Sequence, residues 1–370
     1  MSKKPWKEHL EDIKPYQPGK PIEEVKRELG LEDVVKLASN ENPLGPPPGV
    51  VEAINGAAGS VNRYPDGGCF YLRRALSEKL SLPEENFVFG NGSDEVIVLA
   101  LHAFVDPGDE VVVADPTFQI YHIASMVKQA RLSVVPLKGL KYDMDGMLKA
   151  VTEKTKVVFI ANPDNPTGSY VTARQMERFL KEVPEQVLVF IDEAYYEFAE
   201  GDDYPETLKM LEDENRNIVI ARTFSKAYSL AGLRIGYGMA RKKVSEVLNK
   251  VREPFNVNSV AQAAALAALK DTEHLRKSVG LVRAEKERFY EAFSSMGVDY
   301  APSRTNFILV KTRRDSVKVY KYLLKRGLIV REMTPWRLGG YIRVNIGLPA
   351  ENDRFFELFA EALKEIPEQK

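Results

Sequence analysis

Between residues 86 and 225 the chain repeats one pattern: a short run of unbroken apolar residues, a few turn residues, then a longer stretch of mixed polarity. The runs are NFVFG (86–90), DEVVVADP (109–116), RLSVVPL (131–137), TKVVFIANP (155–163), QVLVFIDEA (186–194) and NIVIARTFS (217–225). They are rich in Val and Ile and show almost no alternation. Strands of that kind are buried on both faces, so they predict a mostly parallel sheet covered by helices. Mixed stretches such as GCFYLRRALSEKL (68–80) supply the helices. From 260 to 297 the composition is helical throughout, with one break expected near Asp271. Beyond it, TNFILVKT (305–312), LIVREM (328–333) and GYIRVNIG (340–347) read as strands, with VKVYKYLLKRG (317–327) and the C-terminal segment as helices, an α+β pattern. The first 48 residues are proline-rich and read as an extended arm with turns rather than a helix-rich domain.

Composition narrows the function classes. Of 370 residues, 44% are hydrophobic and 28% charged, the balance of a globular protein with room for one large domain and a smaller one. The net charge of −1 gives no reason to expect nucleic acid or an anionic membrane as partner. A single cysteine, Cys69, excludes an internal disulfide framework, and the four histidines lack ligand spacing, so no metal is expected. No apolar run approaches bilayer length and the N-terminus lacks a signal-peptide core, which predicts a cytoplasmic protein.

In open α/β sheets, ligands bind beyond the carboxyl ends of the strands, so the residues after each apolar run matter most. GNGSDE (90–95) combines two turn glycines with Ser93, a candidate helix cap, and a helix start suited to a phosphate. The dinucleotide fingerprint fails there, because Glu95 stands where its third glycine belongs, and this argues against a nicotinamide-dependent dehydrogenase. Phe118 or Tyr121 offers a flat face to a ring, or packs the core. Asn165, in a turn-rich ANPDNPTG, can donate to a phenolate-like oxygen. Asp192 lies at a buried strand end, where a carboxylate needs a partner. Lys226 follows the next run, with Ser225 beside it and Arg234 eight residues on. Each feature alone has an ordinary structural explanation. Together they suit pyridoxal phosphate, whose aldehyde needs an amine, whose pyridine nitrogen needs a carboxylate and whose phosphate needs a helix N-terminus, hydroxyls and a cation.

At this point the chain resembles the fold-type I pyridoxal-phosphate aminotransferases of the class II subgroup, and within them the histidinol-phosphate aminotransferases. The resemblance rests on PYQPGKPIEEV, LASNENPLGP, NRYPDG, GNGSDE, ANPDNPTG, IDEAYYEF, TFSKAYSLAGLRIGYG and YIRVNIG, spread over nearly the whole chain. It implies a large domain with a mostly parallel seven-stranded sheet (49–280), a smaller α+β domain (281–370), and an arm (1–48) contributing to the small domain and a dimer contact. It implies that Lys226 binds the cofactor and moves the proton, that Asp192 pairs with the pyridinium nitrogen, that Tyr195 and Asn165 bond the ring oxygen, and that Phe118 stacks on the ring. Ser93, Asp94, Ser225 and Arg234 surround the phosphate, and Tyr64 reaches it from the partner subunit of a homodimer. Arg343 grips the substrate phosphate in one half-reaction and a glutamate carboxylate in the other; Arg331 is a second, distal arginine, and Tyr16 and Asn40 line the substrate pocket. The implied reaction is transamination of histidinol phosphate with 2-oxoglutarate.

Two relatives of that reaction share much of the pattern: a broad aromatic amino acid aminotransferase and a threonine-phosphate decarboxylase. EMTPWRLGGY (332–341) sets Trp336 near the substrate arginines, in place of the shorter glycine-rich link expected there. A non-catalytic regulator with an aminotransferase-like body would carry a DNA-binding domain ahead of it, and the arm is expected to be too short for one.

Overall fold

The structure, a computed structural model, describes residues 5–369. Its strands, in chain order, are β1 Val35–Lys36, β2 Phe87–Gly90, β3 Glu110–Asp115, β4 Arg131–Pro136, β5 Thr155–Ala161, β6 Leu188–Asp192, β7 Asn217–Thr223, β8 Gly236–Ala240, β9 Asp299–Ala301, β10 Phe307–Lys311, β11 Leu328–Ile329, β12 Arg331–Glu332 and β13 Tyr341–Asn345. The six apolar runs become β2 to β7. They lie in a seven-stranded sheet of order β2-β8-β7-β6-β5-β3-β4. Pairing is parallel except at β8, which runs antiparallel to both β2 and β7. Val111 to Val113, Val157 to Ile160 and Leu188 to Ile191 are buried almost completely, as a sheet covered on both faces requires.

The seventh strand reads GYGMA, and its glycines are there for lack of space. A Cβ on Gly238 would lie 2.8 Å from side-chain atoms of Val88 and Val96, and one on Gly236 would lie 2.5 Å from the backbone nitrogen of Ser93. The helix Ala173–Glu182 starts at a Thr172/Gln175 capping box. Asp271 closes the helix Ser259–Lys270 and, by accepting from the His274 N–H, opens the helix Thr272–Ser295, so the break falls where the composition placed it. That second helix is continuous across residue 280.

A four-stranded antiparallel sheet, β12-β13-β10-β9, packs with the helices Ser316–Lys325 and Pro349–Glu365 around a separate core. Phe355 and Phe359 stack there at 5.2 Å beside Phe289 and Phe293. The arm is less bare than expected. It contains the helix Ile22–Leu29, ended by Gly30 at φ 66°, and β1, which pairs in parallel with β11. LIVREM is not one strand: at Val330 the chain passes from the β1–β11 pair into the larger antiparallel sheet. Among the described residues no helix is long and apolar enough to cross a membrane.

Candidate active site

A cavity of about 300 Å³ opens beyond the carboxyl ends of β5, β6 and β7 and is closed on its far side by β12, β13 and the arm. Of the residues singled out in the sequence, Lys226, Ser93, Asp94, Phe118, Asn165, Asp192, Tyr195, Ser225, Arg234, Tyr16, Asn40, Arg331 and Arg343 all line it. Tyr64 does not: it is 84% exposed and stacks on Phe255 at 4.9 Å.

One end of the cavity is built for an anion. The helix Ser93–Phe104 begins with Gly92 as N-cap at φ 78°, a backbone geometry that side chains rarely adopt. Ser93 therefore sits inside the helix, not at its cap, and makes no capping bond with its side chain, contrary to the expectation. The turn is braced from behind by Glu95, which accepts from the Asn91 N–H (2.5 Å), Asn91 Nδ2 (3.0 Å) and Asn256 Nδ2 (2.9 Å). The residue that breaks the dinucleotide fingerprint is thus the one that fixes this loop. Arg234, held at φ 55°, lays its guanidinium over the turn, 3.3 Å from Asp94 Oδ2 and 3.5 Å from Ser225 Oγ. A Cβ on Gly92 would meet that guanidinium at 2.6 Å. Thr223, which the sequence reading passed over, donates to Ser225 Oγ at 2.9 Å and accepts from the Ser225 N–H at 3.1 Å.

Deeper in, Asp192 is 5% exposed, and burial raises its carboxyl to about 6. It accepts from Tyr121 Oη at 2.6 Å and from the Ala194 N–H at 3.0 Å. Tyr121 is itself fixed by a 4.7 Å stack on Phe159, so its role is to hold the carboxylate. Phe118, three residues earlier at the mouth of the same helix, lines the cavity instead. Tyr195 Oη accepts from Asn40 Nδ2 at 2.8 Å, and Asn165 Oδ1 accepts from Arg343. Lys226 Nζ donates to the Ser39 carbonyl at 3.4 Å and lies 5.7 Å from the centre of the Tyr195 ring, and burial together with the nearby Arg343 lowers its amine to about 8.

The far wall is cationic. In the antiparallel ladder of β12 and β13, Arg331 stands directly opposite Arg343. Arg331 is 9% exposed and Arg343 5%. Arg343 donates to the Ala38 carbonyl at 3.0 Å and Arg331 to the Gln17 carbonyl. Among the described residues neither has a carboxylate partner, and Arg343 Nε is buried without any acceptor. The sequence placed both near the pocket; their cross-strand register is visible only in three dimensions.

The comparisons with known proteins agree with this geometry. The family model described as aminotransferase class I and II matches residues 32–358. The chain belongs to the class I and II aminotransferases. A histidinol-phosphate aminotransferase of Akkermansia muciniphila is 51% identical to this aminotransferase over 360 residues, covering 96% of this chain and 98% of the relative. That of Moorella thermoacetica is 47% identical over 357 residues, covering 96% and 92%. Among solved structures, the histidinol-phosphate aminotransferase of Sinorhizobium meliloti in complex with pyridoxal-5'-phosphate superposes with TM-score 0.89 at 29% identity, covering 99% of this aminotransferase and 98% of that chain. A Thermus thermophilus aspartate aminotransferase double mutant gives TM-score 0.82 at 25% identity, with coverage of 97% and 100%. Among the described residues of the aminotransferase, no group of three or more His, Cys, Asp or Glu is placed to hold a metal ion.

Proposed function

We propose that this chain is a pyridoxal-phosphate-dependent histidinol-phosphate aminotransferase of histidine biosynthesis, acting in the cytoplasm as a homodimer. It passes the amino group of histidinol phosphate to 2-oxoglutarate, leaving imidazole acetol phosphate and glutamate. The observation that carries this reading is the Arg331–Arg343 pair. Two buried cations facing each other across one ladder repel, and among the described residues neither forms an ion pair, although the Glu332 charge acts on Arg331. An anion between them completes the site. Histidinol phosphate brings a phosphate and glutamate brings two carboxylates, so both half-reactions supply it. An aromatic amino acid brings one carboxylate and leaves the distal arginine uncompensated.

Pyridoxal 5'-phosphate fits the donor set on this chain's own terms. The glycines of the turn leave a cradle that a Cβ would fill, and a guanidinium, two hydroxyls and a helix start converge there. When bound, the cofactor supplies an aldehyde that links to an amine and a protonated ring that draws electrons from the substrate's α-carbon. Lys226 would hold the aldehyde end until the substrate amine displaces it, and its freed Nζ, with proton affinity lowered toward neutrality, would then take the proton from the α-carbon and return one on the other side of the exchange. Asp192, above its pKa at neutral pH, pairs with the ring nitrogen and is kept in register by Tyr121 and the Ala194 N–H. Tyr195 donates to the ring oxygen; Asn165, with Oδ1 engaged by Arg343, offers its Nδ2 to the same atom. Phe118 covers the ring face. Ser93 and Asp94, chiefly through their backbone N–H groups, would hold the phosphate together with Ser225 and Arg234, and Tyr64 of a second copy would reach it. Tyr16 and Asn40 shape the substrate end.

The homodimer is supported by a strip of exposed apolar side chains, Val61, Tyr64, Phe70, Tyr71 and Phe255, which a second copy would cover. For the domains we propose an arm at 1–48, a large cofactor domain at 49–280 and a small domain at 281–370. Support comes from the two separate cores and from the β1–β11 pairing that ties the arm to the small domain.

The test is a side-by-side assay of histidinol phosphate and phenylalanine with 2-oxoglutarate as acceptor. We expect kcat/KM to favour histidinol phosphate by ~10⁴, since a site built around buried polar groups strongly rejects a ligand that leaves them unpaired. Comparable values would make the protein an aromatic aminotransferase. Release of carbon dioxide from threonine phosphate would make it a decarboxylase.

A further inference from the structure

Arg331 is held in an unusual way for a buried cation. Its guanidinium lies 4.6 Å from the centre of the Trp336 ring and 5.9 Å from that of Tyr16, and its hydrogen-bond acceptor among the described residues is the Gln17 carbonyl. Ring faces attract a cation without neutralising it. A carboxylate in their place would fix the arginine equally well, but it would also cancel the charge that a substrate anion needs. Trp336 itself is 4% exposed, and its indole N–H is buried with no acceptor among the described residues. The residue therefore contributes its ring face and not a hydrogen bond.

The segment carrying Trp336 is anchored at two points, one on the helix Gln119–Val127 and one at the end of β3. Trp336 ends the 3-10 turn Thr334–Trp336, and Arg337 follows at φ 60°. Gln119 Nε2, one residue past Phe118, donates to the Pro335 carbonyl at 3.1 Å. Arg337 NH1 donates to Asp115 Oδ2, at the end of β3, at 2.9 Å. Trp336 packs with Leu309, Met333 and Leu338 in a small core separate from the main ones. The loop thus bridges the end of β3 and the helix that follows it to the arginine of the small sheet.

We propose that Trp336 is a positioning residue: stacked on Arg331 and latched through Pro335 to the helix Gln119–Val127 and through Arg337 to the end of β3, it holds the distal arginine charged and pointed at the substrate's distal anion, and so sets selectivity for doubly charged substrates. The proposal deepens the transamination reading and rests on it. The test uses the holoenzyme and follows the absorbance of the bound cofactor on addition of glutamate, or of phenylalanine, which has no distal anion. Trp336→Leu is expected to raise the KM for glutamate about tenfold with kcat within about twofold, and to leave the KM for phenylalanine where it was. Trp336→Phe keeps a ring face and is expected to restore the KM for glutamate to within about threefold of wild type. A merely structural role would lower turnover of both donors alike, and that result overturns the proposal, as does equal damage by Phe and Leu. Should Trp336→Leu fail to fold, Arg337→Ala, at an exposed side chain, decides: a rise of about threefold or more in the KM for glutamate alone, of the size expected for a weakened latch, supports the proposal, and an unchanged KM refutes it. The two readings fail separately. A wild-type enzyme that reacts with glutamate but not with histidinol phosphate removes the proposed donor and leaves the Trp336 test intact.

Discussion

At the scale of single residues, the site is assembled from groups kept in states they would not choose alone. Asp192 is the clearest case. Burial raises its carboxyl from 3.8 to about 6, so between about pH 4 and pH 6 the native chain retains a proton that the unfolded chain has lost. Stability contributed by this group therefore falls as pH rises through that window, and above it the full cost, on the order of 3 kcal/mol, remains. In the cofactor-free protein Asp192→Asn removes that cost while keeping an oxygen to accept from Tyr121. We expect the variant to be more stable than wild type by about 1–3 kcal/mol at pH 7.5, with the difference shrinking toward pH 4, and to lose at least ~100-fold in turnover. Urea unfolding of both proteins across that range checks the first part. A variant less stable at every pH would show that the Tyr121 bond, not the buried charge, dominates.

At the scale of elements, the sheet was legible where its strands are continuous in Val and Ile, because only a sheet covered on both faces needs such runs. β8 was not legible as a strand, since Gly236 and Gly238 answer to crowding from Ser93, Val88 and Val96 and carry no apolar signal. The break in LIVREM was equally hidden, as nothing in its composition tells that Val330 separates two sheets. Within the site, charge-bearing residues at strand ends were readable one by one. The pairings were not: Tyr121 with Asp192, Thr223 with Ser225, and Arg331 with Arg343 depend on helix phase and register. The same crowding yields a prediction. Gly236→Ala places a Cβ 2.5 Å from the Ser93 nitrogen and 2.9 Å from the Arg222 carbonyl, backbone atoms that cannot swing aside. The helix start must shift, at about 1–3 kcal/mol for overpacking. We expect the fold to survive and the anion cradle to open, so that bound cofactor is lost on dialysis against buffer while wild type keeps it. Equal retention in the two proteins would place the cradle elsewhere.

At the scale of the whole molecule, Tyr64 is the residue a single chain does not account for. It stands in NRYPDG, one of the motifs that carry the family resemblance, yet it projects from the surface among exposed Val61, Phe70 and Tyr71 rather than into the cavity that gathers the other site residues. If Tyr64 completes the site of a neighbouring copy, Tyr64→Ala and Lys226→Ala damage different chains of the same site. A hybrid dimer of the two variants then holds one site with an intact Lys226 from one chain and an intact Tyr64 from the other, and one site lacking both. Each variant alone has no intact site. Co-expression with two affinity tags isolates the hybrid, and we expect it to recover about half the turnover of the wild-type dimer, one site of two. Were Tyr64 to serve its own chain, every site in the hybrid would lack one partner and turnover would not exceed that of Tyr64→Ala alone. Equilibrium sedimentation of the same preparations fixes whether the unit is a dimer at all, so that an inactive hybrid is read as a tyrosine working in its own chain and not as a failure to assemble.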